Sequence, residues 1–138
     1  MKRLSDLTEL GRHGVSMARA AVRKRLDATR PLPEAERRDY TLAELGRYDG
    51  RDAGAPVLLA VRGRVYDVIR GRAFYGPGGP YAAFAGRDCT RALALMSTDT
   101  IECIGDLTGL TPAELAQLDE WVERFERNYA AIGALTSE

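Results

Sequence analysis

Along residues 3–29 apolar side chains recur at a broken helical spacing: Leu4, Leu7, Leu10, Val15, Ala18, Val22 and Leu26. The stretch ARAAVRKRLDA adds strong helix formers, with Arg and Lys near its end, so a basic amphipathic helix is predicted. Gly11 and Gly14 weaken its middle. TRPLPEAERRDY then breaks the pattern with two prolines among charges and reads as a linker. In DYTLAELGRYDG, Thr41 and Glu44 have the spacing of a capping box, so a short strand or turn should lead into a helix closed by Gly46 and Gly50. Alternation and β-branching over Val57–Val61 and Val65–Val68, around Arg62-Gly63, predict a tight hairpin. A Gly/Pro-rich loop follows, and Asp88 is placed to cap a helix from Cys89 to about Met96. Thr111, Pro112 and Glu114 open the last helix, with Leu115, Leu118, Val122, Phe125 and Tyr129 on one face. Trp121 and Phe125 read as packing residues. This order predicts an α+β fold with helices segregated to one side of a small sheet.

Composition fits one folded domain. The 138 residues are 45% hydrophobic and 29% charged, as in soluble globular proteins. No run of about 18 apolar residues is available to span a bilayer, and the first residues lack the apolar core of a secretory signal, so a cytoplasmic location is expected. Net charge is zero, but residues 1–38 hold ten basic and five acidic side chains, and residues 39–138 hold ten and fifteen. The predicted organisation is therefore a basic helical arm and linker, 1–38, joined to an acidic domain, 39–138. The acidic domain argues against nucleic acid as a partner. The arm suits peripheral contact with an anionic membrane, or packing against a protein surface. Cys89 and Cys103 are too few and too separated for a disulfide scaffold and read as reduced, packed thiols.

Several chemistries are excluded by residue type. The one histidine, His13, lies in the arm, so neither an ordinary zinc site nor a His-dependent nucleophile is available to the domain. GPGGP lacks the spacing and the Lys-Ser/Thr of a phosphate loop, and its prolines remove N–H donors. Tyrosines remain. Tyr75 and Tyr81 lie six residues apart in a segment, residues 71–81, with four glycines and two prolines. They are either aromatic plugs in an irregular loop or phenols available to a ligand. Phenolate oxygen is an established ligand of haem iron.

The run YTLAEL…DG…PVLLAVRGRVYDVIRGRAFYGPGGPYAAFAGRDCTRALA resembles the cytochrome b5-like haem/steroid-binding domain of the membrane-associated progesterone receptor family, over about residues 39–132. The resemblance implies a cytochrome b5-like fold whose helices form a haem cleft, with STDTIECIGDLTGLTPAEL as an insertion between helices. It also implies five-coordinate ferric haem b held by Tyr81, with Tyr75 and Tyr129 close to the haem. Where the family has lysine before that last tyrosine, this chain has Asn128; Arg127 is one replacement for the lost charge. Arg87 is a further candidate, facing a haem propionate or pairing with Asp88. The implied roles are haem handling or partnership with a haem monooxygenase. The alternatives are a haem-dependent enzyme using the open iron face, or a sterol- or protein-binding module without haem. A homodimer is a further expectation.

Overall fold

The structure, a computed structural model, describes residues 32–137; the helix expected over residues 3–29 lies outside them. Strand β1 is Tyr40–Thr41, and it runs directly into the one-turn helix α1, Leu42–Leu45. The expected capping box is present: the Glu44 N–H donates to Thr41 Oγ1 at 3.1 Å, and the Thr41 N–H donates to Glu44 Oε1 at 2.9 Å. Strands β2, Leu58–Val61, and β3, Arg64–Asp67, form the hairpin. Its turn residues Arg62 and Gly63 both have positive φ, 49° and 77°, as the two-residue turn matching strand twist requires.

The segment expected to be loop from residue 71 instead begins with helix α2, Arg72–Tyr75, so Tyr75 sits on a helical turn. Helix α3, Thr90–Leu95, starts one residue later than expected. Asp88 still serves its first turn, since its carboxylate accepts the Thr90 N–H (3.1 Å) and hydroxyl (2.5 Å). Helix α4, Pro112–Asn128, carries the second capping box, on Thr111 and Glu114. It buries Leu118, Trp121 and Phe125. Tyr129 does not extend that face: the chain leaves the helix there in extended conformation, φ −135° and ψ 155°. It continues as β4, Ala130–Thr136, a strand whose sequence AAIGALT offers little β-propensity.

The sheet order is β1-β4-β3-β2, with β1 parallel to β4 and the other pairs antiparallel. Strand β2 is buried throughout because its outer edge is also paired. The Ala60 N–H donates to Arg87 O, and the Ala60 carbonyl accepts from the Cys89 N–H, each at 2.9 Å. Tyr40, Leu45, Leu58, Ala60, Val65 and Ile132 form a core cluster, against which Ala35, Tyr48 and Leu135 pack. Residues just before β1 thus pack against this core, and the Tyr40 hydroxyl donates to Glu36 O at 2.5 Å. Both cysteines are free; Cys89 is buried, whereas Cys103 is only half-buried. Among the described residues, no helix is long and apolar enough to cross a membrane.

The insertion after α3 is fastened by one side chain. Arg91 Nε donates to Glu102 Oε2 at 3.1 Å, and Arg91 NH1 donates to the carbonyls of Asp106 (2.9 Å) and Thr108 (2.8 Å).

Candidate functional site

The glycines and prolines after α2 fold the chain back so that Tyr81 returns beside Tyr75. The Gly76 N–H closes α2 on Arg72 O at 2.7 Å, and the Tyr81 N–H donates to Phe74 O at 2.8 Å. At Gly79 a Cβ would occupy the space of the Phe74 carbonyl oxygen, so no larger residue fits this return. Pro77 and Pro80 fix φ within this turn and contribute no N–H to it. Arg72 NH2 anchors the other side on Gly50 O at 2.8 Å.

The result is a contiguous aromatic wall. Tyr81 stacks on Phe84 with centroids 5.4 Å apart and 9° between planes, and meets Trp121 edge-on at 5.6 Å. Tyr75 lies 6.0 Å from Tyr81 and 6.2 Å from Tyr129. Phe125 lies beside both Tyr75 and Tyr129, 6.0 Å and 5.8 Å away. Tyr75 is 2% exposed, while Tyr81 and Tyr129 are partly exposed on either side of it. The turn after α2 and the distant end of α4 therefore bring Tyr75, Tyr81 and Tyr129 together.

These phenols differ from the structural tyrosines. Tyr40 and Tyr66 donate to Glu36 O and to Glu126 Oε1, the latter at 2.6 Å. Among the described residues, Tyr75, Tyr81 and Tyr129 make no such hydrogen bond. Burial pushes all three phenols above their ordinary range, Tyr75 furthest. Around Tyr75 the neighbouring Tyr129, Cys89 and Tyr81 add to the rise, and the Arg124 guanidinium opposes it. All three are thus protonated at neutral pH and need an external positive charge to ionise. One donor in the wall is also left over: the buried Trp121 Nε1 has no hydrogen-bond partner.

Beyond Tyr129 lies a cleft of about 310 Å³, lined by Asp67, Ile69, Arg70, Arg127, Asn128 and Ala130 as well as the tyrosine itself. Asn128 and Arg127 therefore line the same cleft as Tyr129 even though they are adjacent positions of the helix end. Arg87 is not brought to this region. It is exposed, and its charge acts on Cys103, whose thiol burial pushes up and Arg87 lowers. Nor is it paired with Asp88, whose carboxylate is taken by Thr90.

A family model described as Cytochrome b5-like Heme/Steroid binding domain matches residues 41–127. This chain belongs to that family. Membrane steroid-binding protein 1 of Oryza sativa subsp. japonica is 45% identical over 106 residues, covering 76% of this chain and 46% of that protein. Membrane-associated progesterone receptor component 2 of Rattus norvegicus is 40% identical over 129 residues, covering 91% and 58% respectively. The chain spans about half the length of these curated relatives. A solved Arabidopsis thaliana protein, described as having a cytochrome b5 like fold, matches with a TM-score of 0.66 at 40% identity, covering 72% of this chain and 91% of that one.

The expected cytochrome b5-like fold and the resemblance to the membrane-associated progesterone receptor family both hold. Sequence reasoning did not single out Arg70, which lines the cleft, or Arg124, whose charge acts on Tyr75; Trp121, read as a packing residue, is buried as expected.

Proposed function

We propose that this cytochrome b5-like domain binds ferric haem b, with Tyr81 as the protein ligand to iron. One observation carries the reading: three phenols with no hydrogen-bond partner among the described residues converge in an acidic domain that has no histidine. Tyr81 is the best placed of them, because it is partly exposed and its ring is fixed by Phe84 and Trp121. A hard anionic oxygen suits ferric iron, and the iron's charge would offset the burial that keeps the phenol protonated. When bound, haem supplies a redox-active Lewis acid. Tyr75 and Tyr129 would present an apolar wall with phenolic edges, and Asn128 would line the rim. The unpartnered Trp121 N–H and the Gly79 return, which holds Tyr81 in register, fit a ligand-binding wall better than a plain core.

An anionic ligand lowers the reduction potential, which favours haem handling, or partnership with a haem monooxygenase, over rapid electron shuttling. Peripheral membrane association is part of this proposal, supported by the names of the relatives and by the basic residues of the arm. A second reading, binding of a neutral steroid on the same wall, is favoured by the relatives named as steroid-binding proteins. Titration of the purified chain with haemin and with a sterol separates the two. Haemin binding with a ferric absorption spectrum altered by Tyr81→Phe supports the proposal. Sterol uptake by a protein that refuses haemin overturns it.

A further inference from the structure

The cleft beyond Tyr129 has a charge pattern that haem iron does not use. Arg70 and Arg127 both line it and are exposed, and neither belongs to an ion pair among the described residues. Its one acid, Asp67, is already engaged, accepting the Ile69 N–H at 3.0 Å. Two arginines and one committed carboxylate, on which the Arg70 charge already acts, thus line a cleft of about 310 Å³ beside an amide, Asn128, and a phenol, Tyr129. A guanidinium presents paired N–H donors that match a carboxylate. Tyr129 is shared between this cleft and the aromatic wall, its ring 6.2 Å from Tyr75 and 5.8 Å from Phe125.

We propose that the cleft is an anion subsite, in which Arg70 and Arg127 receive a carboxylate carried on the edge of a flat aromatic ligand seated at the tyrosines. Arg127 thereby supplies, from the neighbouring helical position, the positive charge that Asn128 does not, and Arg70 supplies a second. The inference rests on the haem reading and deepens it: the site selects a ligand with acidic edges over a neutral ligand of the same shape. Asp67 sets the limit, because its negative charge opposes an incoming anion.

The test compares haemin with its dimethyl ester, in which the same ring and iron lack free carboxylates. Quenching of Trp121, the chain's single tryptophan, reports binding of either compound. The diacid should bind the wild type about three- to tenfold tighter than the ester, as expected for two solvent-exposed ion pairs. The preference should shrink at high salt and vanish in Arg70→Gln/Arg127→Gln, while Asp67→Asn should enlarge it. Circular dichroism of the variants checks that these surface changes leave the fold intact. Equal affinity of the wild type for diacid and ester overturns the subsite and leaves the haem reading standing. A preference that survives the double arginine change also overturns it. If neither compound binds, the subsite and the haem reading fall together.

Discussion

Replacing Gly71 with alanine asks whether Tyr129 is held in place by the turn that precedes α2. A Cβ at Gly71 would overlap Tyr129 Oη and approach Cζ to 3.1 Å and Cε1 to 3.3 Å. The backbone itself sets no obstacle, since φ −101° and ψ 27° are open to alanine. Alanine even narrows the unfolded ensemble, which favours folding by about 0.5 kcal/mol. The cost is therefore steric. Overpacking commonly costs about 1–3 kcal/mol. Tyr129 is partly exposed and has just left the helix, so it can move, and a net loss of about 1 kcal/mol is expected. Urea denaturation followed by circular dichroism measures it. In a Tyr129→Phe background the worst overlap, with Oη, disappears, and the alanine should cost less than half as much. That difference is a coupling between the two positions of roughly 0.5–1 kcal/mol. Equal costs in both backgrounds, or a Gly71→Ala protein more stable than wild type, would refute this placement of Tyr129.

Other outcomes follow from single contacts. Glu126 is held below its usual range by hydrogen bonds from Tyr66 and Arg64, so stability it contributes is present above pH ~4.3 and lost as pH falls through its lower folded value; Glu126→Gln should flatten that acid limb in pH-dependent denaturation. Tyr66, pushed up to about 12 mainly by burial, keeps its proton where an unfolded tyrosine loses it, so stability should fall between pH ~10 and ~12, and Tyr66→Phe should remove that slope. Arg91→Ala releases the insertion from Glu102, Asp106 and Thr108; amide exchange over residues 99–108 should accelerate about tenfold while the sheet is little changed. Because burial keeps the Tyr81 phenol protonated, ligation must release one proton. The ratio of haemin affinities, wild type over Tyr81→Phe, should then rise with pH by up to about tenfold per unit below the phenol's titration, and a flat ratio would exclude phenolate ligation.

The two capping boxes and the hairpin were legible because each rests on contacts between residues close in sequence, and Thr41, Thr111 and Arg62-Gly63 all behave as their local chemistry dictates. Strand β4 was not legible. Its alanines and glycine have no strand signature, and it exists because β1 and β3 flank it with matching register, a long-range condition. The same strand explains the misplacement of Tyr129, since entry into β4 pulls residue 129 out of helical conformation. Spacing alone set Tyr75 and Tyr81 in a loop; the helical turn at Arg72–Tyr75 that buries the first and leaves the second open could not be read from glycines and prolines. Trp121 packs in the core as read from the sequence, but its unpartnered N–H becomes visible only when its surroundings are fixed. Arg70 reached the cleft for a similar reason: strand pairing brings the end of β3 beside the end of α4, which sequence distance conceals.

The central claim concerns which phenol meets the iron. Resonance Raman spectra of the haemin-reconstituted protein, excited into the phenolate-to-iron transition, address it directly. The account predicts enhanced tyrosinate ring modes that persist in Tyr75→Phe and Tyr129→Phe and disappear in Tyr81→Phe. Tyrosinate modes that survive Tyr81→Phe, or a ferric complex of the wild type with none, would contradict it.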